Sequence, residues 1–241
     1  MVNTKKMAKE KNVERNIASG IPGLDPLLGG GFFPNSLVMV SGNTGAGKSL
    51  LCLQFLYHGA TQLNEPGVLI SLEQKAGDIL RMGKQFGWDL DSLISRKKLW
   101  IESPPIYEFK QLEKGIFDSI KKTGAKRLVI DSYTIASTYF LKPEENRRAL
   151  MLLSRKLQNL DCVSLVVSDI PEGARTFSIS GFEEFVVDGI IHLALVSDAK
   201  RNMFVRSALV RKMRYRNHSL KRVPLKITKQ GVVVYPQDEL F

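Results

Sequence analysis

The chain has 241 residues, 44% hydrophobic and 24% charged, with two cysteines and a formal net charge of +11. This balance fits a folded domain of ordinary size and excludes a disordered chain, and two cysteines are too few for a disulfide-built scaffold or a four-ligand zinc site. No run approaches the roughly 18 to 20 apolar residues of a membrane span, and the basic start has no apolar signal core, so the cytoplasm is the expected setting, with no membrane partner.

Residues 1–15 are polar, without helical or strand periodicity, and read as a flexible tail, with a single domain over 16–241. Apolar runs rich in Val, Ile and Leu then alternate with amphipathic stretches. Strands are expected from Leu37 to Ser41, Val68 to Leu72, Leu99 to Ile101, Leu128 to Asp131 and Val163 to Ser168, and helices over 48–62, 75–86, 108–122 and 144–160. Cys52 and Cys162 lie inside apolar runs and are expected in the core. Continuously apolar strands alternating with helices predict an α/β fold: a mostly parallel, doubly wound sheet with helices on both faces.

After Val186 three strand-like runs follow without helices, Val186 to Leu195, Met203 to Arg211, and Leu225 to Tyr235 folding back at Lys229-Gln230-Gly231. They predict an antiparallel C-terminal extension on one sheet edge. Between Ala199 and Gln230 stand eleven Lys or Arg and no acid, which leaves the rest of the chain with equal numbers of acids and bases. So local an excess marks either an anion-binding surface, for a phosphate chain, a neighbouring subunit or DNA, or a solvated cationic face.

Residues 42–49, GNTGAGKS, match G-x-x-x-x-G-K-[ST] with an apolar strand before and a helical pattern after. A triphosphate is polyanionic, and backbone N–H groups from Gly42, Asn43, Thr44, Gly45, Ala46 and Gly47, the loop entering its helix at Leu50, suit it. Lys48 then bridges the β- and γ-phosphates and the Ser49 hydroxyl takes a place on Mg²⁺. Arg127-Leu128-Val129-Ile130-Asp131 is an apolar strand ending in an acid, so Asp131 is the metal-side carboxylate. Glu73, closing the second strand beside Gln74, is either the base that deprotonates water or an acid favoured at a helix start. A further strand ends at Ser168-Asp169, where a polar side chain is placed to sense the γ-phosphate.

With GNTGAGKS, Ser71-Leu72-Glu73-Gln74 and LVIDS in this order, the chain resembles RecA-superfamily ATPases. SGIPGLDPLLGGGFFPNSLVMVSG, LQFLYHGA, GFEEFVVDGIIHL and KMRYRNHSLKRVPLKITKQGVVVYP narrow the resemblance to the KaiC family, over about residues 16 to 236. The resemblance implies a RecA-like P-loop fold, ATP and Mg²⁺ as ligands, and a homo-oligomer, a ring or a filament, holding nucleotide between subunits, with a six-membered ring as the expected form. It further implies that Lys212 and Arg214 of Lys212-Met213-Arg214 reach a neighbour's γ-phosphate and that His218 joins the nucleotide site. Gln74 replaces the family's second glutamate, which implies slow hydrolysis, and Glu183 and Glu184 stand where the family's clock protein is phosphorylated, which argues against an autokinase cycle.

Three functions follow. The first is an oligomeric ATPase that drives a regulatory or assembly change in a protein partner of unknown identity. The second is a DNA-binding recombination accessory protein, in which Tyr133, Tyr139, Phe140 and Lys142 in one loop and Arg175, Phe177 and Phe182 in another face nucleic acid, the alternative being that these aromatics pack within the fold. The third is a nucleotide-gated scaffold with little hydrolysis, supported by Gln74.

Overall fold

A computed structural model describes residues 16–105, 108–198 and 202–240. The expected tail over residues 1–15, together with Lys200 and Arg201 of the basic segment, lies outside the described residues. In chain order the elements are α1 (Leu24–Leu27), β1 (Leu37–Gly42), α2 (Lys48–Gln62), β2 (Gly67–Ser71), α3 (Ala76–Gln85), α4 (Leu90–Ser95), β3 (Leu99–Glu102), α5 (Phe109–Thr123) and β4 (Arg127–Asp131). They continue with α6 (Tyr133–Ser137), α7 (Pro143–Leu157), β5 (Val163–Asp169), α8 (Glu183–Val186), β6 (Gly189–Asp198), β7 (Met203–Met213), β8 (Val223–Thr228) and β9 (Gly231–Val234). The strands form one sheet in the order β3-β2-β4-β5-β1-β6-β7-β8-β9.

The apolar runs are continuous because both sheet faces are covered. Successive strand residues point to opposite faces. Val38, Val40, Leu69, Val129 and Leu165 therefore enter one core with α2, α3 and α4. Leu37, Met39, Ile70, Ile130 and Val166 enter the other with α5, α6 and α7. Cys52 and Cys162 are buried and free, as expected of core residues. Helix ends follow local chemistry: Pro143 opens α7, the Asp89 side chain accepts from the Ser92 amide at the start of α4, and Gly124 closes α5 in the left-handed region.

Two expectations need correction. The first of the three C-terminal runs is not antiparallel to the body of the sheet: β6 lies parallel to β1, with Val38 opposite Gly189 and Gly42 opposite Leu193. The 170–188 connection is long enough for a parallel return, and its last part is the helical turn α8 rather than strand. The antiparallel extension begins at β7. The short helices α1, α4, α6 and α8 were also unexpected, since four to six residues hold too few turns for a 3.6-residue stripe to register.

Arg127, first residue of β4, is wholly buried. Its Nε donates to Glu65 Oε2 at 2.7 Å, one terminal nitrogen to the carbonyls of Phe55 at 2.8 Å and Ser19 at 3.2 Å, and the other to Ala18 O at 2.7 Å. The guanidinium also lies 4.4 Å from the Phe55 ring centroid. Room for it exists only because α2 carries Gly59, where a Cβ would stand 2.3 Å from the arginine's Cδ and Nε. Burial pulls the pKa of Arg127 down while Glu65 pulls it back up. Removing one partner of such a network strands the others, at a cost of about 3 kcal/mol given that Glu65 reaches solvent. For a chain of this size Arg127→Met should lower the melting temperature by about 6 °C or more in a circular-dichroism melt. A melt within 2 °C of wild type would refute the anchoring role.

Candidate functional site

The sheet order places β2, β4, β5 and β1 side by side, so their carboxyl ends carry Glu73, Asp131, Asp169 and Lys48 in a row. The register agrees, with Ser71 opposite Asp131 and Gly42 opposite Asp169. The 42–49 segment curls out of β1 and into α2. Gly47 makes this entry at φ 99°, and at Gly42 a Cβ would meet Leu193 O at 2.1 Å. α2 runs for 15 residues behind the loop, so its free N–H groups and dipole end face the cavity. The cavity, of about 430 Å³, is lined among others by Thr44, Gly45, Lys48, Ser49, Glu73, Asp131 and Asp169.

Lys48 is 7% exposed, and its Nζ lies 2.9 Å from Asp169 Oδ1 and donates to Asn43 O at 3.0 Å. Asp131 is buried, which pushes its carboxyl up to about 6; the Ser49 hydroxyl opposes this by hydrogen bonding, Glu73 and Asp169 add to it, and Lys48 opposes it. Asp131 Oδ1 is buried with no hydrogen-bond partner. An orphaned carboxylate oxygen beside a serine hydroxyl at a phosphate-type loop fits a hard divalent cation. Among the described residues no cluster of three or more His, Cys, Asp or Glu is arranged to hold a metal. Glu73 is exposed, and Ser132 Oγ donates to its Oε1 at 3.3 Å.

One site residue escaped the sequence reading. Arg206, on β7, donates from Nε to the loop carbonyl of Gly45 at 3.0 Å, a contact between residues 161 apart. It counted only as part of the basic segment, and its reach across β6 has no local sequence signal.

Lys212, Arg214 and His218 do not join this cavity within the subunit. Met213 pairs with Gly189, and Gly189 lies opposite Val38, four residues before Gly42. Lys212 and Arg214 thus sit at the amino end of β1, about 13 Å or more along the strands from the loop. Within the subunit both side chains are bonded to the 184–188 segment. Lys212 Nζ donates to the carbonyls of Glu184 at 2.8 Å and Val187 at 2.6 Å, and Arg214 to Phe185 O at 2.9 Å and Asp188 Oδ1 at 3.1 Å. Burial, then Arg214, pulls the Lys212 pKa down to about 8. Asp188 also accepts from the Leu37 amide through Oδ2 at 3.1 Å. His218 lies between β7 and β8, where its neighbour Ser219 donates to Leu27 O, and its Nε2 is buried without a partner.

The positive charge after residue 199 is less free than its count suggests. Arg214 pairs with Asp188, Arg216 donates to Gly31 O, Arg222 donates to Ser207 Oγ, and Arg211 and Lys226 lie over Phe177 and Tyr235. Of the two readings of the loop aromatics, packing is the one the structure shows. Tyr133 is in α6, buried and bonded to Asn146; Tyr139 and Phe140 pack on the second core; Phe182 is buried, and Phe177 meets His192 edge-on. Lys142 and Arg175 are exposed. Glu183 is buried with both oxygens unpartnered, and Glu184 Oε1 accepts from the Phe177 amide.

A family model described as KaiC ATPase matches residues 17–239. UPF0273 protein MJ1359 of Methanocaldococcus jannaschii is 37% identical over 94% of this chain and 98% of its own length. A UPF0273 protein of Thermotoga maritima is 33% identical over 93% of this chain and 97% of its own. Among solved structures, the KaiC-like protein PH0186 from Pyrococcus horikoshii OT3 superposes with a TM-score of 0.84 at 35% identity, covering 92% of this chain and 99% of that one. No helix among the described residues is long and apolar enough to cross a membrane.

Beside the loop strand, Ser41 Oγ lies 3.3 Å from His192 Nδ1. Burial, then the Arg222 charge, pushes the His192 pKa down to about 4, so the folded protein holds the ring neutral. The unfolded chain takes up this proton near pH 6.5, so the contribution to stability is present above pH 6.5 and lost as pH falls toward 4, by up to about 3 kcal/mol. Urea titrations across that window should show wild type losing about 2 kcal/mol or more relative to His192→Gln. Parallel stability curves would show that His192 is not held neutral by folding.

Proposed function

The chain belongs to the KaiC ATPase family, and from that premise we propose that it binds Mg²⁺·ATP at residues 42–50 and hydrolyses it between two copies of itself. The observation that carries this reading is the meeting of Lys48, Ser49, Glu73 and an unpartnered Asp131 oxygen at one set of strand ends. Loop amides and the α2 amino terminus bind the phosphates, and Lys48 neutralises charge on them. Ser49 and Asp131 would hold magnesium, which would offset phosphate charge. Glu73, steadied by Ser132, takes the proton of the attacking water. Gln74 lines the same cavity in place of the family's second glutamate, which supports slow turnover.

Lys212 and Arg214 stand too far from their own loop to touch its phosphates, which supports action on a neighbour's nucleotide within a ring, six-membered as the resemblance implies. His218, on the same side of the fold, would join them. The resulting ATPase acts on assembly or on a protein partner. Packing of these aromatics supports the ATPase reading over the DNA-binding one.

Lys48→Ala should abolish nucleotide binding or turnover, whereas Glu73→Gln should keep ATP binding and lose about 10²-fold or more in steady-state turnover. Unchanged turnover in the lysine variant would eliminate the loop assignment. Glu73→Ala and Arg214→Ala should each be nearly inactive alone, and their co-assembly should restore part of the activity, because some interfaces then join an intact Glu73 to an intact Arg214. Mixed assemblies, verified with two affinity tags, that stay at single-mutant activity would exclude action across subunits.

A further inference from the structure

Asp169 closes β5, the strand between the loop strand β1 and the strand that ends in Asp131. Its backbone is pinned on both sides. The Asp169 amide donates to Thr134 Oγ1 at 2.8 Å, and the next amide, that of Ile170, donates to Gly42 O at 3.2 Å. Only the side chain is left to turn. It is 33% exposed, and it touches the one buried lysine of the cavity at 2.9 Å. Of the three carboxylates lining the cavity, Glu73 accepts from Ser132, Asp131 lies by Ser49, and Asp169 is the one in direct ion-pair contact with Lys48.

A polyphosphate in the loop requires the same ammonium group. Two anions then contend for one cation, and the contest is uneven between nucleotides. A triphosphate offers Lys48 two phosphoryl groups, β and γ, whereas a diphosphate offers it one. Asp169 recovers the lysine more readily from the diphosphate, at a distance its pinned backbone already sets. We propose that Asp169 is a positioning residue that competes with bound nucleotide for Lys48 and thereby weakens the hold on the diphosphate product. No bond is made or broken by Asp169; its effect is on how long the diphosphate stays. The proposal rests on the loop reading given under Proposed function.

The test uses the whole protein in its assembled form, with fluorescently labelled ADP and ATP in the presence of Mg²⁺, and measures affinity at equilibrium and release by stopped-flow displacement. Asp169→Asn should bind ADP about tenfold more tightly and release it correspondingly more slowly, while ATP affinity rises by about threefold or less. Asp169→Glu, which keeps the charge, should stay within about threefold of wild type in ADP release, a difference that a role in packing alone would not produce. If Asp169→Asn melts early, Asp169→Ser removes the same charge and decides the matter. ADP affinity equal to or weaker than wild type in a folded, charge-free variant overturns the proposal and leaves the loop reading standing. Failure of the wild-type protein to bind either nucleotide overturns the loop reading and this inference with it.

Discussion

A guanidinium with no contact to water sits at the start of β4 and fixes the relation between the two halves of the site. Arg127 holds the Phe55 carbonyl of α2, the carbonyls of Ala18 and Ser19, and the Glu65 carboxylate that follows α2. The same strand ends four residues later in Asp131, and α2 begins with Lys48 and Ser49. Tying the middle of the helix to the start of the strand sets how far the serine hydroxyl stands from the carboxylate. The cost is a charge taken out of water, and it is borne only because every hydrogen-bonding direction of that charge is met.

The site itself is crowded with negative charge. Glu73, Asp131 and Asp169 share the cavity with a single buried lysine, and burial together with the neighbouring carboxylates raises the Asp131 pKa. Such an arrangement favours a ligand that brings a cation with it, since a bare polyphosphate would add to the repulsion. Most arginines of the basic segment, meanwhile, have intramolecular duties: Arg206 braces the loop at Gly45, Arg216 ties the β7–β8 connection to Gly31 ahead of β1, and Arg222 holds the start of β8 to Ser207 of β7. A long run of like charge along a sequence need not remain a charged patch once each guanidinium finds a carbonyl, a hydroxyl or an aromatic face.

Much of this was legible in the chain, for physical reasons that differ by feature. The 42–49 loop could be read because its backbone conformation demands glycine at fixed spacings. The parallel strands could be read because burial on both faces makes them continuously apolar, and Asp131 because it ends one of them. What failed to show were relations between segments remote in sequence. The pairing of Lys48 with Asp169, the reach of Arg206 to Gly45 and the parallel setting of β6 each depend on which strand lies beside which. Tyr133, Phe140 and Phe177 carried a mixed signal, since an aromatic in a loop sequence is equally suited to stacking on a base or sealing a core, and only the packing decides.

One carboxylate links the two ends of the molecule that matter most. Asp188 takes a hydrogen bond from the first amide of β1 with one oxygen and from Arg214 with the other. β1 is hydrogen-bonded along its length on both sides, to β5 and to β6, and ends in the phosphate-type loop. From the Asp188 carboxylate to Gly42 the connection runs through a hydrogen-bonded strand with no loop between them, so the position of Asp188 and the start of the phosphate-type loop are set by the same backbone ladder.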